Sequence, residues 1–322
     1  MPISRFATLL LALLPLALAA QEFPVAGRTV RILNPFPPGG TSDVLSRAIA
    51  ARMAQNLGVP VIVENKPGAS TVIAVNELKR AAPDGHTMLY TVTGTTSQLP
   101  HLYAKPPYDV FTDMTPLGLA AYNRLLMVAA LDTPFNTVRE LVDYARANPG
   151  KVNYASFGNG SFPHILSELL NRAADIRMVH VPFKGGADAG RAIMGGQVQV
   201  FFDVLLTGIN NARAGKVKMI AVAAPSRLAN LPDTPTMAES GFQGFELPGL
   251  EQLLGPPGMA PALVARLNAE IVKALRSPEV ADLYVKNGFD LRATSAEEHA
   301  KVLRESFDRW GEVIRRTGIT LD

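Results

Sequence analysis

The chain has 322 residues, 48% hydrophobic and 18% charged, a length that suits two ordinary domains with cores of their own. Its 31 basic and 28 acidic side chains nearly balance and form no basic block, so nucleic acid is not expected as a partner. It has no cysteine, which excludes disulfides, thiolate metal sites, thiol nucleophiles and a lipidated cysteine anchor.

Residues 1–20 read as a secretory signal peptide. Arg5 precedes an apolar run that reaches Ala20, and Ala17-Leu18-Ala19 offers small residues for cleavage near Ala19 or Ala20. Pro15 interrupts the run, which is shorter than the roughly 20 residues of a spanning helix. The mature chain is therefore expected to be free in the periplasm.

Beyond residue 20, short β-like runs alternate with helix-like runs, predicting mainly parallel sheets flanked by helices. A strand is expected over 30–33. Leu45, Ile49, Met53 and Leu57 recur every four residues, predicting a helix over 41–57 that Gly58 caps. A strand over 61–63, a helix capped by Ser70 and ending before Pro83, and a strand over 87–92 complete a β-α-β-α-β unit.

A second such unit follows. Thr137 and Glu140 form a capping box for a helix ending before Pro149. Strands are expected over 152–156, 179–181, 198–202 and 217–223, with helices opening at Ser161 and after Gly186. The C-terminal part turns helical, over 263–275, from Ser277 to Gly288, and from a second capping box at Ser295 and Glu298. These patterns predict a first lobe of residues 25–124 plus 251–322 and a second lobe of 125–250. Segments 125–130 and 250–258 are the expected crossings, a hinge around a central cleft.

In open α/β sheets, ligands bind beyond the carboxyl ends of the strands. The first such loop carries Pro38, Gly39, Gly40, Thr41, Ser42 and Asp43. Glycines let the backbone approach a ligand, Thr41 or Ser42 is a natural N-cap, and a helix start presents free N–H groups to an anion. An ordinary capped turn is the alternative. Gly158, Asn159, Gly160 and Ser161 repeat the construction in the second lobe, with His164 in the next helical turn. That repetition favours an anion gripped from both sides. Neither loop contains arginine, so amide and hydroxyl dipoles would do the work. Thr93 and Thr95 offer further hydroxyls, Phe183 a stacking face, and Asp203 an acceptor for a ligand amine or hydroxyl. A polar turn is the alternative for the threonines, and capping of the next segment for Asp203.

Other chemistries find little support. The five histidines show no metal-binding spacing; His180 reads as a core residue, and His86, His101 and His299 as surface or turn residues. No G-x-S-x-G elbow marks a hydrolase, and 39–42 lacks the lysine of a P-loop. No catalytic residue, metal or cofactor is expected.

Seven motifs stand in a fixed order: Pro37-Pro38-Gly39-Gly40-Thr41-Ser42-Asp43, Val63-Glu64-Asn65-Lys66-Pro67-Gly68-Ala69, Ala82-Pro83-Asp84-Gly85-His86-Thr87, Asn148-Pro149-Gly150-Lys151, Gly158-Asn159-Gly160-Ser161, His180-Val181-Pro182-Phe183-Lys184-Gly185 and Leu231-Pro232-Asp233-Thr234-Pro235-Thr236. By these the chain resembles the Bug-family substrate-binding proteins of the tripartite tricarboxylate transporter. The resemblance implies a type II periplasmic-binding-protein fold, a small carboxylate ligand (a di- or tricarboxylate, an acidic amino acid or an aromatic acid) and a two-part membrane permease as partner. It also implies that the loop of Pro38 and Asp43 holds the ligand carboxylate with ordered water, helped by the loop of Gly158 and Ser161. The chain departs from the family pattern at Ser70-Thr71, Phe183 and Leu250, where glycines, tyrosine and tryptophan are usual. The protein is expected to act as a monomer. A ligand-sensing adaptor for a signalling receptor is the alternative role.

Overall fold

The computed structural model describes residues 23–68 and 71–321. The expected signal peptide and the Ser70 cap lie outside them. Two lobes form, each built on one sheet.

In the first lobe, β1 (Val30–Asn34), β2 (Val61–Asn65) and β3 (Thr87–Val92) run parallel, linked by α1 (Thr41–Leu57) and α2 (Val72–Arg80). β4 (Thr115–Asn123) and β10 (Gly249–Gly255) extend the sheet antiparallel, and β11 (Asp290–Leu291) closes its edge, giving the order β11-β4-β10-β3-β1-β2. In the second lobe, β6 (Asn153–Ser156), β7 (Val179–Pro182) and β8 (Val200–Val204) are parallel. There β5 (Leu125–Ala129) and β9 (Lys218–Ala223) join antiparallel, in the order β7-β6-β8-β5-β9. The parallel halves come from the β-α-β units read in the sequence, and the antiparallel halves from strands that enter each lobe beside a crossing.

The segments expected to cross between lobes are therefore corrected. Residues 125–129 are the strand β5, paired on both sides, and residues 249–255 are the strand β10, also paired on both sides. Their unbroken burial explains the assignment: every residue of both strands is enclosed. The outbound crossing is Arg124 alone, between β4 and β5, and the return lies between β9 and β10.

Side chains alternate across each sheet, and both faces are covered. In the first lobe Ile32, Met88 and Leu253 face one cluster while Leu33, Leu89 and Leu254 face another. In the second, Met127, Tyr154 and Phe202 oppose Val128, Ala155 and Phe201. Helices α4 (Val138–Ala147), α5 (Phe162–Ala174), α6 (Gly186–Met194) and α7 (Leu205–Arg213) flank the second sheet, and α8 (Pro261–Leu275) and α9 (Pro278–Lys286) pack on the first. The N-cap half of each capping box forms: Thr137 accepts from the Glu140 N–H at 3.2 Å, and Ser295 from the Glu298 N–H at 3.1 Å, while the Glu140 carboxylate reaches one residue further back, to the Asn136 N–H at 2.7 Å.

The last helix, α10 (Ala296–Thr317), joins the lobes. Leu303 in its first half packs into the first lobe, whereas Trp310, Val313 and Ile314 belong to the core of the second. Of the histidines expected at the surface or in turns, His86 lies in a bend but is buried, and His299 of α10 is fully enclosed, its Nε2 bonded to Gln252 Oε1 at 2.8 Å.

Candidate ligand-binding site

The loop from β1 to α1 is held from beneath. Asn34 Oδ1 accepts the Phe36 N–H at 3.0 Å and the Ser42 hydroxyl at 3.3 Å. Asp43, in the first turn of α1, reaches back to accept the Gly39 N–H at 2.9 Å. Asn65 of β2 donates to Phe36 O and to Asp43 Oδ1, each at 2.9 Å, and Arg47 Nε donates to Asp43 Oδ2 at 3.0 Å. Burial pushes the Asp43 carboxyl up, but the bonds from Arg47, Gly39 and Asn65 outweigh it and hold it below its ordinary range. The structure thus spends Asp43 on shaping the loop, because every oxygen it offers is taken by neighbouring donors.

Above that base the loop is open. Pro38, Gly39, Gly40 and Thr41 are exposed and Ser42 is half-buried. Gly39 takes φ +82°, which turns the chain into the helix at no steric cost. Gly40, rather than Thr41 or Ser42, is the N-cap, and no side chain caps this end. The N–H groups of Gly40, Thr41 and Ser42 therefore donate to no other described residue. They stand at the positive end of a 17-residue helix, an arrangement that attracts an anion.

The segment after β3 is not the open hydroxyl-bearing loop expected. It winds into a π-helical turn (Gly94–Gln98) and the short helix α3 (Leu99–Leu102), which α10 covers. Thr93 Oγ1 accepts the Leu250 N–H. The Thr91 and Thr95 hydroxyls are 2.6 Å apart, and the Tyr108 hydroxyl donates to Thr95 O at 2.5 Å. Thr93 is 2% exposed and Thr95 0%, so packing has placed both inside the lobe. In the same turn Ser97 and Gln98 are enclosed without hydrogen-bond partners.

In the second lobe, Ser156 Oγ accepts the Gly158 N–H at 3.0 Å, and Ser161 Oγ donates to Gly158 O at 2.7 Å. His164 Nδ1 accepts the Gly160 N–H at 2.9 Å, so this histidine positions the loop. Its ring stacks on His180 at 3.9 Å between centroids, and Tyr154 lies beside both rings, 5.0 Å from His180 and 6.3 Å from His164. Burial, and then His164 itself, drives His180 down to about 4. Burial also lowers His164, against the pull of Glu168. Both imidazoles are neutral at pH 7, and His180 Nε2 meets Ser156 Oγ at 2.6 Å. Asn159 is exposed.

This second loop abuts the first lobe. Gly160 has φ +71°, and a Cβ there would stand 2.6 Å from Leu102 Cδ1 and 3.0 Å from Leu321 Cδ1. The turn after β3 and the loop after β6 thus meet at the seam. Phe183 stands beside the same loop, its N–H donating to Ser156 O at 3.1 Å, and lines an open groove with Lys184, Asp188 and Arg191. Asp203 closes β8 at 1% exposure. Its Oδ1 accepts the Val204 N–H at 2.7 Å, while Oδ2 has no partner. Burial, opposed only by that N–H, raises its pKa to about 7.

Two mixed α/β lobes, meeting at loops that open helices, define a two-lobed solute-binding protein. Residues 45–319 match the family described as the tripartite tricarboxylate transporter family receptor, and the chain belongs to that family, one of binding proteins and not of enzymes. Among its relatives, protein BugT of Bordetella pertussis is 28% identical, over 94% of this chain and 93% of BugT. MatC from Rhodopseudomonas palustris, solved with bound malate, is 33% identical with a TM-score of 0.82, covering 91% of this chain and 100% of that one. Rpa4515 of R. palustris, solved with adipate, is 28% identical with a TM-score of 0.84, covering 93% and 99%.

Proposed function

We propose that this chain captures a small carboxylate in the periplasm, between its lobes, and delivers it to the permease of a tripartite tricarboxylate transporter. The carrying observation is the set of unpartnered N–H groups at Gly40, Thr41 and Ser42, on an exposed loop braced by Asp43 and Asn65. The malate and adipate held by two relatives support the ligand class. The second-lobe loop of Gly158 and Ser161 closes over the acid as the lobes turn about Arg124. Asp203 then meets a hydroxyl or amine of the ligand, if it carries one. A single chain forms the whole site.

Proline at Thr41 tests this directly. Thr41 is the first residue of α1, and Gly40 before it is extended (ψ 168°), so proline fits there while removing one N–H. Titration of malate and adipate into Thr41→Pro and Thr41→Ala should show about tenfold weaker binding for proline alone, the worth of one hydrogen bond to a charged group. Equal affinity in the two variants, both folded, would exclude this loop as the carboxylate site.

A further inference from the structure

The π-helical turn after β3 holds the least satisfied polar side chains at the seam. Its neighbours are all engaged: Thr93 with Leu250, Thr95 with Thr91, and Thr96 with Gln252 Nε2 at 2.6 Å. By contrast Ser97 Oγ and both Oε1 and Nε2 of Gln98 have no partner among the described residues, at 0% and 1% exposure. Enclosed polar groups are rarely left so, and an amide unpaired at both ends is a place that expects a guest. Turns of the π type are also common where proteins bind other molecules.

The position of Gln98 fits that role. Strands β1 and β3 are neighbours, with Leu33 opposite Leu89, so the exposed 37–42 loop and the π-helical turn leave the same sheet edge side by side. Gln98 Oε1 folds back over half-exposed Gly94, where an added Cβ would lie 3.6 Å away. Four residues on, Leu102 reaches Gly160 of the second lobe. Residues four apart lie one turn from each other, so Gln98 stands one turn before the residue that touches the second lobe.

We infer that Gln98 reads the body of the captured acid and selects ligands bearing a hydroxyl beside their carboxylates. This rests on the carboxylate-capture reading above. An amide supplies both a donor and an acceptor, as a hydroxyl does. The turn contributes no cation, so a second carboxylate there would stand uncompensated.

The test compares L-malate with succinate, which differ by one hydroxyl, on the full chain. Calorimetry and ligand-free melting are run on the wild type, Gln98→Leu and Gln98→Met, the last keeping the side-chain length should leucine fold poorly. The wild type should prefer malate at least tenfold. Both variants should bring the ratio near one, hold succinate affinity within threefold, and melt no lower than the wild type, since an unpaired amide is gone. A preference retained in the variants overturns the assignment, as does a wild type that does not discriminate. A lower ligand-free melting temperature in both variants also overturns it, by showing a structural amide. A wild type that binds neither acid is a separate result, visible before any variant; it overturns this assignment, whereas the capture reading is judged on its own by the Thr41 variants.

Discussion

Asp203 and Asp43 are both acids beside a strand-to-helix loop, yet their surroundings set them apart. Asp43 has four donor contacts and stays charged, whereas Asp203 has a single backbone donor and one bare oxygen. An acid with a pKa near 7 can meet an ammonium as carboxylate or a hydroxyl as neutral acid. Asp203→Asn should therefore weaken an amino-acid ligand by about 2 kcal/mol, the scale of a hydrogen bond to a charged group, and a plain carboxylic acid by much less. Parallel calorimetry on both kinds of ligand checks this, and an unchanged affinity for every ligand removes Asp203 from the site. The glycine and hydroxyl loops were legible in sequence because turn chemistry is local. Which polar atoms the fold consumes was not: Thr95 and His164 look free in sequence, yet each is committed four residues back, to the Thr91 hydroxyl and the Gly160 N–H, by turns whose shape the sequence does not announce. Gln98 carried one weak signal, a polar residue ending the run Thr95-Thr96-Ser97.

At the scale of elements, those with strong periodicity or caps were readable, and those made by long-range pairing were not. Helix α1 repeats every four residues and ends on Gly58 at φ +68°, and α4 and α10 begin at the N-caps the sequence marks, Thr137 and Ser295. Strand β4 escaped because Pro116, Gly118 and Ala120 give it little β character; it exists by pairing with β10, far along the chain. No local pattern announced that α10 would serve both lobes. Its Trp310 is fully buried and meets Phe162 of α5 edge-on, 5.0 Å between centroids. Trp310→Ala should cost about 3–5 kcal/mol in urea unfolding. Because the lost contacts lie in the second lobe, the transition should also broaden or split, and a single sharp transition at the original midpoint contradicts a bridging role.

Across the whole molecule, the link between the lobes and a buried acid lie together. Arg124 links β4 to β5; its carbonyl accepts the Leu205 N–H at 3.3 Å, and its guanidinium donates to Glu246 O at 2.8 Å, clasping the outbound and return segments. Beside it, Asn123 donates to Glu251 Oε1 at 3.1 Å, and Tyr90 donates to Oε2 at 2.9 Å. Burial, against those two donors, raises Glu251 to about 7. A carboxyl raised on folding contributes stability that is complete below its ordinary pKa and disappears as pH climbs through 7, a loss of about 3 kcal/mol. Glu251→Gln, which does not titrate, should change the gap between urea midpoints at pH 5 and pH 8 by raising the pH 8 midpoint relative to the pH 5 one; Asp203 acts in the same direction as Glu251, and the buried neutral His180 and His299 in the opposite one. An unchanged gap rules out Glu251 as its source. The chain has one tryptophan, and it sits where the last helix crosses from one half to the other. Its indole emission therefore comes from that joint alone, so a captured solute that shifts the two halves can be followed optically, with no added dye.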